Sequence, residues 1–439
     1  MPSPEVSGPV RWLIRKEWRE LLASRAWWAM LLATGPIIGV AFANAVRTYA
    51  DISADTGCGI VCSPLLGIWA PTFGAFELVA IFLLPFVAIR SLAGDRQSGA
   101  LALELQRPFP LAGRVAIKAA VIFAGWLCAF LAGAVAVALW LSYGGAVAWP
   151  ELLVVALGHA LVAGLTIVVA LAIAAMTDHP STAAIVALGI TIGTWMIDFA
   201  AAVYGGVWER LAQYTPAAFV SAFQHGLVQV NALLVAALVA IATVEAATVW
   251  LRPGQRVRAR LTRTLVIVAV AMAGALAASR VPGSWDASET RVNSFPEPVE
   301  EALETVPGTI TVEVHLAPQD SRRGGFDRGP LAKLRRIRPD TTVTYVARTA
   351  TGLYEQADPG YGEIRYSLGG RTIETRAVTD ESVAESIVAL AGVTIADEQE
   401  TFYPGRPLAA TPAYAPVLFF IAWPIGIGGL WLFTSRRHV

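Results

Sequence analysis

Long apolar stretches alternate with short charged connections along most of this chain. A helix needs about 20 apolar residues to cross the hydrocarbon core of a bilayer. Eight stretches meet this requirement, at roughly 26–46, 73–92, 116–142, 152–176, 183–204, 231–251, 264–281 and 414–434. The pattern predicts a mostly α-helical, polytopic membrane protein with about eight transmembrane helices.

One long polar segment, residues 282–412, interrupts this pattern before the last apolar stretch. Its local patterns predict strands at 309–316 and 341–347, a helix at 329–337, a hairpin over 362–378 that turns at Gly369-Gly370, and a helix over 379–392 that Thr379 caps and Gly392 ends. We expect a small α/β module inserted between the last two helices. The proline-rich stretches 296–307 and 404–416 are interpreted as its linkers.

Composition supports the membrane assignment: 55% of the residues are hydrophobic, 15% are charged, and the mean hydropathy is +0.56. The formal net charge of the chain is zero, but the basic and acidic residues are unevenly distributed along it. Residues 282–412 hold 13 basic and 20 acidic side chains, whereas the remainder holds 20 and 13. The basic excess suits contact with an anionic leaflet.

The positive charges of the short connections predict the orientation. One set of connections holds Arg11, Arg15, Lys16, Arg19, Arg25, Arg90, Arg96, Arg107, Arg114, Lys118, Arg252, Arg256, Arg258, Arg260, Arg263, Arg436 and Arg437. The opposite set holds little beyond Arg47 and Arg210. We therefore expect a multi-pass protein of the cytoplasmic (inner) membrane, with both termini cytoplasmic and the polar segment outside.

The chain is predicted to comprise five parts. They are an amphipathic helix at 1–25, a six-helix membrane domain at 26–252, a basic loop and seventh helix at 253–281, the extracytoplasmic α/β domain at 282–412, and the eighth helix with a basic tail at 413–439. In the first part, Val10, Ile14, Trp18 and Leu21 form one stripe, Arg15, Lys16 and Arg19 lie largely opposite, and Glu17 projects near the stripe.

Motifs for chemistry are mostly absent from the sequence. It contains no phosphate-binding G-x-x-x-x-G-K-[ST] loop, no H-E-x-x-H and no G-x-S-x-G, and its five histidines are scattered. We predict no catalytic residue, no metal site and no bound cofactor. Transport would then need an ion gradient or a partner that hydrolyses ATP.

Ionisable groups within membrane helices are functional candidates because their burial is costly. They are Glu77, His159, Asp198 and Glu245. The alternative for each carboxylate is a solvated or hydrogen-bonded structural role. For His159 it is a satisfied interior histidine.

The three cysteines divide into two kinds. Cys128 lies within the third apolar stretch and is interpreted as a packing residue. Cys58 and Cys62 lie four apart in the first external loop, where a disulfide, two free thiols and a metal site remain alternatives.

The order of elements resembles the permease family of type-2 ABC exporters. The motifs are RKEWRELLASRAW (15–27), GDRQSGALALELQRPFPLAGRVAIK (94–118) and YTPAAFVSAFQHGLV (214–228). In the second motif Arg96, Gly99, Leu101, Pro108 and Lys118 match the family pattern, while Asp95 and Ala100 replace its usual Glu and Thr. Residues 285–318, with the YGEI strand and the helix ending in LAG, are similar to the extracytoplasmic auxiliary subunit of gliding-motility-associated ABC systems.

The resemblance implies an ABC exporter permease that works as a dimer with a separate ATPase subunit, which binds ATP and magnesium. It implies an elbow helix with Arg15, Lys16, Trp18 and Arg19, and an ATPase-coupling helix with Asp95, Arg96, Gly99, Leu101, Glu104 and Leu105. Leu101 and Leu105 would enter a cleft of the ATPase, and Asp95, Arg96 and Glu104 would contact its rim. The simpler interpretation is a charged cytoplasmic loop.

Three other functions remain open. They are a non-transporting scaffold that couples an ATPase to an extracytoplasmic partner, an ion-coupled secondary transporter and a membrane-embedded enzyme. Membrane lipids are expected partners in every case, and nucleic acid is not. The substrate stays unidentified.

Overall fold

The computed structural model describes residues 7–54, 59–106, 109–204, 207–212, 214–318, 320–346, 360–392 and 403–436. Its α-helices are α1 Ser7–Ala23, α2 Arg25–Ser53, α3 Ala70–Phe82, α4 Leu84–Gln97, α5 Ala100–Leu105, α6 Leu111–Leu127, α7 Phe130–Ser142, α8 Trp149–Met176, α9 Pro180–Tyr204, α10 Val207–Ala212, α11 Pro216–Gln224, α12 Val230–Leu251, α13 Val257–Ala278, α14 Glu297–Thr305, α15 Ser321–Arg328, α16 Pro330–Ile337, α17 Asp380–Ala391, α18 Ala415–Val417 and α19 Trp423–Arg436. A 3₁₀ turn covers Gly59–Cys62, and π-helical turns cover Leu65–Trp69 and Leu418–Ala422. The strands are β1 Leu227–Gln229, β2 Ser284–Asp286, β3 Thr311–Val314, β4 Thr342–Tyr345, β5 Ile364–Leu368 and β6 Arg371–Thr375.

Eight helical segments among the described residues are long and apolar enough to span a membrane, which confirms the predicted number. They are Arg25–Ser53, Leu65–Gln97, Leu111–Ser142, Trp149–Met176, Pro180–Ala201, Val230–Leu251, Val257–Ala278 and Ala415–Arg436. Several are longer than the apolar stretch that predicted them, because their ends continue into polar residues that make tertiary contacts.

The fourth span, α8, lies at the centre of the bundle. It packs against α3, α4, α6, α9, α11 and α12. Half of the most apolar 18-residue stretch of α8 is buried within the protein. Helix α13 contacts mainly α12, and only 6% of its corresponding stretch is buried. The seventh span is therefore peripheral and leaves most of its apolar surface for lipid.

The eighth span packs on the first through two glycines spaced four apart. An added Cβ at Gly35 would lie 2.2 Å from Cδ1 of Trp423, and one at Gly39 would lie 2.4 Å from Cβ of Phe419. The indole Nε1 of Trp423 also donates to the carbonyl of Leu31 at 2.8 Å. Small residues thus form a groove for two aromatic side chains, as is common between membrane helices.

A four-stranded mixed sheet in the order β4-β3-β5-β6 forms the polar domain. Strand β3 runs parallel to β4 and antiparallel to β5, with Val312 paired to Val343 on one side and Tyr366 on the other. Alternate residues of β3 and β5 are buried, so one face of the sheet packs under helices. The observed β5–β6 hairpin encloses Gly369 and Gly370 as predicted.

The helices of this domain include one that the sequence analysis assigned to a linker. Helix α17 has the predicted ends, since Thr379 accepts a hydrogen bond from the amide of Ser382 and Gly392 has a φ of 68°. The prediction of a linker at 296–307 is wrong, because α14 occupies it and buries Leu303 in the domain core. Proline is tolerated in the first helical turn, where the missing N–H has no intrahelical acceptor.

Strand pairing attaches the domain to the membrane helices. Strand β1 precedes α12 and pairs antiparallel with β2, which follows α13. The carboxylate of Asp286 accepts hydrogen bonds from Ser288, Asn293 and Ser294, and Asn293 also donates to the carbonyl of His225. These contacts fix the start of the domain against the ends of the neighbouring spans.

Candidate functional site

Six charged side chains meet where α1, α4, α5 and α6 converge, at the end of the bundle that we call the basic end. We name this group the ion cluster, and its members are Lys16, Glu17, Glu20, Asp95, Glu104 and Lys118. All but Glu20 are largely buried. Burial of charge is costly unless each group has a partner, so the pairing within the cluster decides whether these helices pack.

Lys16 connects α1 to both halves of the predicted coupling segment. Its Nζ lies 2.8 Å from Oδ1 of Asp95 and 2.5 Å from Oε1 of Glu104. It also lies 3.2 Å from Oε1 of Glu20, one turn along α1. A single ammonium thus ties the elbow helix to the end of α4 and to α5.

Lys118 makes the matching connection from α6. Its Nζ lies 2.5 Å from Oε2 of Glu17 and 2.8 Å from Oδ2 of Asp95. Asp95 is 3% exposed and contacts both ammonium groups, one through each carboxylate oxygen. Asp95 therefore joins α1, α4 and α6, and Lys16 adds α5 through Glu104.

The cluster carries four carboxylates and two ammonium groups, and its protonation reflects this excess. Burial alone lowers the pKa of Lys16, but hydrogen bonds to Asp95 and Glu104 outweigh that effect and raise it. Burial and the nearby charge of Asp95 raise the pKa of Glu20. Glu20 is the member that water reaches, so the surplus negative charge is most accessible there.

Three of these carboxylates have a spacing that could suit a metal ion. Oxygens of Glu17, Asp95 and Glu104 lie within 4.8 Å of one another. Each of the three, however, already contacts a lysine ammonium. These three carboxylates therefore belong to an internal ion network with the two lysines.

Arg96 links the same segment to the central helix. Its Nη1 donates to the carbonyls of Ala174, at 2.8 Å, and Thr177, and its Nη2 donates to Ala175 at 2.8 Å. The last carbonyls of a helix lack intrahelical donors and carry partial negative charge. Arg96 thus caps α8. Of two consecutive residues of α4, Asp95 therefore belongs to the ion cluster and Arg96 contacts the central helix.

Helix α5 exposes Leu103, which was not among the predicted coupling residues. Gly99 precedes it with a φ of 73°, a conformation that favours glycine. Leu101 is half-buried against the membrane core and Glu104 is buried, whereas Leu103 is 67% exposed. The side chain of Leu105 and residues Arg107 and Pro108 lie outside the described part of the chain.

The predicted coupling residues therefore have internal partners. Asp95, Arg96 and Glu104 contact Lys16, Lys118 and the end of α8 within this chain. Contact of these residues with another subunit stays a prediction. Among the described side chains of α5, Leu103 is the large apolar one that this arrangement leaves exposed.

The buried face of α1 is shifted from the predicted stripe and shares only Leu21 with it. Leu13, Glu17 and Leu21 are buried, while Ile14 is exposed and Trp18 is half-buried. Arg15 and Arg19 are exposed and Lys16 points into the ion cluster. Glu17, which interrupted the apolar stripe, is the residue that Lys118 compensates.

The four intramembrane polar candidates fall into three places. Asp198 accepts a hydrogen bond from Thr215 at 2.7 Å and is close enough to Glu77 for their charges to interact. His159 is buried, with Nε2 at 3.4 Å from Nε2 of Gln224. Glu245 lies elsewhere, next to Thr248 on α12.

At the opposite end of the bundle, an acidic residue of α8 holds the polar domain. The carboxylate of Glu151, which is buried, accepts the amide of Glu289, and the Glu289 carboxylate binds the guanidinium of Arg406. The Tyr49 hydroxyl lies 2.8 Å from the carbonyl of Arg406. The sequence analysis missed Glu151, whose position two residues after Trp149 in the first turn of α8 was the available signal.

The cysteines are only partly described. Cys128 has a free thiol, and Cys62 is buried and takes part in a disulfide. Cys58 lies outside the described residues, so the pairing of Cys58 with Cys62 stays a prediction.

Comparison with protein-family models and with curated proteins finds no match. The eight apolar spans and the small mixed sheet before the last span define a multi-pass membrane protein.

Proposed function

We propose that this chain is the membrane subunit of an ABC exporter, which moves a substrate across the cytoplasmic membrane with ATP hydrolysed by a separate ATPase subunit. The observation that carries the proposal is the placement of α5. This six-residue helix stands between two spans at the basic end, exposes Leu103, and is ion-paired through Glu104 to Lys16 of α1.

The contacts around α5 would transmit movement of the ATPase to the spans. Displacement of α5 acts on α1 through Glu104 and Lys16, and on α4 by direct connection. Asp95 extends the connection to α6, and Arg96 extends it to the carboxyl end of α8. Buried charge pairs resist separation, so these helices would move together between alternative packings.

The accompanying partners follow from the same proposal. Two copies of this chain would assemble with two ATPase subunits, which bind ATP and magnesium. The basic end would face the cytoplasm, where the exposed Arg15 and Arg19 of α1 would meet anionic lipid headgroups.

The test is an aspartate at Leu103. The tagged chain is purified from its native membrane, and vanadate-sensitive ATPase activity and the P-loop ATPase that co-purify are measured. Leu103→Asp should remove most of both, because a charge would enter an apolar contact. Pro253→Asp places the same charge in another exposed loop at the basic end and should leave both unchanged.

The outcome that refutes coupling through α5 is full ATPase recovery with Leu103→Asp. Unfolding is excluded if the variant elutes as a single species with an unchanged melting temperature. If the Pro253→Asp control loses the ATPase equally, the docking surface extends beyond α5 and the specific assignment to Leu103 fails.

A non-transporting scaffold is a second candidate, because the polar domain is fastened to α8 through Glu151, Glu289 and Arg406. The same spans could then carry ATPase movement to an extracytoplasmic partner. Arg406→Ala should uncouple the domain. A scaffold would lose the partner's response with ATPase binding intact, whereas an exporter would keep substrate-stimulated hydrolysis.

A further inference from the structure

A large cavity opens beside the ion cluster at the basic end. Its volume is about 660 Å³, and it lies between the end of α1, the face of α4, the middle of α6 and the start of α9. Ligand pockets commonly measure about 300–1,000 Å³. The cavity is therefore large enough for a small organic molecule.

The walls of the cavity have two chemically different parts. One part is apolar and is lined by Leu21, Phe86, Val87, Ile89, Val121 and Ile122. The other part is polar and is lined by Glu17, Glu20, Asp95, Gln97 and Ser98. An occupant that satisfies both parts must be amphipathic.

The ionisable groups around the cavity indicate the sign of the charge that an occupant would carry. Glu17, Glu20 and Asp95 line it, against one lining cation, Arg90. Behind them stand Lys16, Lys118 and Glu104, which leaves the group with four carboxylates and three cations.

We propose that this cavity binds an amphipathic organic cation, whose charged group lies against Glu20 and whose apolar part lies between Phe86 and Ile122. As the substrate class of an exporter, this assignment rests on the proposed function. As a binding site, it depends only on the cavity and its charges. Phe86 also lines the cavity, and aromatic rings attract cations.

The test measures binding of tetraphenylphosphonium to the purified full-length chain in detergent, with triphenylphosphine oxide as the uncharged counterpart. We expect saturable binding of the cation, with about one site per chain, and at least tenfold weaker binding of the oxide. Glu20→Gln should weaken binding of the cation about fivefold, the effect of one partly exposed charge contact. Glu297→Gln removes an exposed carboxylate of the polar domain and should have no effect.

A second variant tests the space itself. Ala184 lines the cavity from α9 and is half-buried, so Ala184→Phe fills part of the volume. Binding should be lost while the melting temperature stays within a few degrees. Equal binding to this variant and the wild type would overturn the proposal, as would equal affinity for the uncharged counterpart.

A phospholipid is the rival occupant. Native mass spectrometry that finds a lipid retained by the wild type, lost from Ala184→Phe and not displaced by tetraphenylphosphonium would refute the cation assignment. Cation binding without any co-purifying ATPase would support the binding site in the cavity and refute the exporter proposal. Capture of the ATPase without cation binding would support the exporter proposal and refute the binding site.

Discussion

Replacing Lys118 with methionine removes one of the two ammonium groups of the ion cluster and keeps the length of the side chain. Glu17 then loses its 2.5 Å partner and keeps only Lys16 at 3.3 Å, and Asp95 also keeps only Lys16. Both carboxylates are buried. Removing one partner of a buried ion pair costs about 3–5 kcal/mol, since the remaining charge stays desolvated.

Chemical unfolding of the purified protein in detergent micelles measures this loss. Arg15→Met, on the exposed face of α1, is the control and should change stability by less than about 0.5 kcal/mol. Adding Glu17→Gln to Lys118→Met should restore about 1–3 kcal/mol, since one of the two buried carboxylates that lost Lys118 is then neutral. A loss below about 1 kcal/mol for Lys118→Met, with no recovery in the double variant, would refute the pairing.

Three further predictions concern other parts of the fold. Gly35→Val should displace the eighth span from the first, because its Cβ would lie 2.2 Å from Trp423, whereas Gly429→Val meets nothing within 4 Å; a cysteine cross-link between the two spans would report the difference. Burial of Asp286 would raise its pKa, but the hydrogen bonds to its carboxylate outweigh burial and lower it. The stability that Asp286 contributes is therefore present above the unfolded-state pKa of about 3.9. It is lost as the pH falls through the lower pKa of the folded state. Unfolding midpoints from pH 6 to pH 3 should fall more steeply for the wild type than for Asp286→Asn, and parallel curves would contradict this. Thr379→Ala removes the cap of α17 and should cost about 1 kcal/mol in chemical unfolding, and an unchanged midpoint would argue against the cap.

The sequence predicted the elements whose signals are local. Each span follows from a run of apolar residues long enough for the bilayer, and the ends of α17 follow from Thr379 and Gly392 within the helix itself. The β5–β6 hairpin follows from two adjacent glycines. Helix α14 was missed because its prolines resemble a linker, and only its packing against α16 and α17 explains why it forms.

The candidate site was only half predictable. The importance of 94–118 came from a resemblance in the order of motifs, which is a property of the chain. The contacts of this segment could not be predicted from the sequence, because Lys16 and Asp95 are 79 residues apart and Glu17 and Lys118 are 101 residues apart. Sequence periodicity holds no information about which distant charges will meet.

The amino-acid sequence by itself determined that this is a membrane protein with eight spans and a small polar domain, since hydropathy and capping act over one helix at a time. Only the tertiary structure decided which face of α1 is buried. The apolar stripe predicted that Ile14 and Trp18 would lie on the buried face. Glu17 is buried instead, because its ion pair with Lys118 compensates the cost of desolvating its charge. Long-range charge pairing, which no local pattern encodes, thus placed both the ion cluster and the cavity beside it.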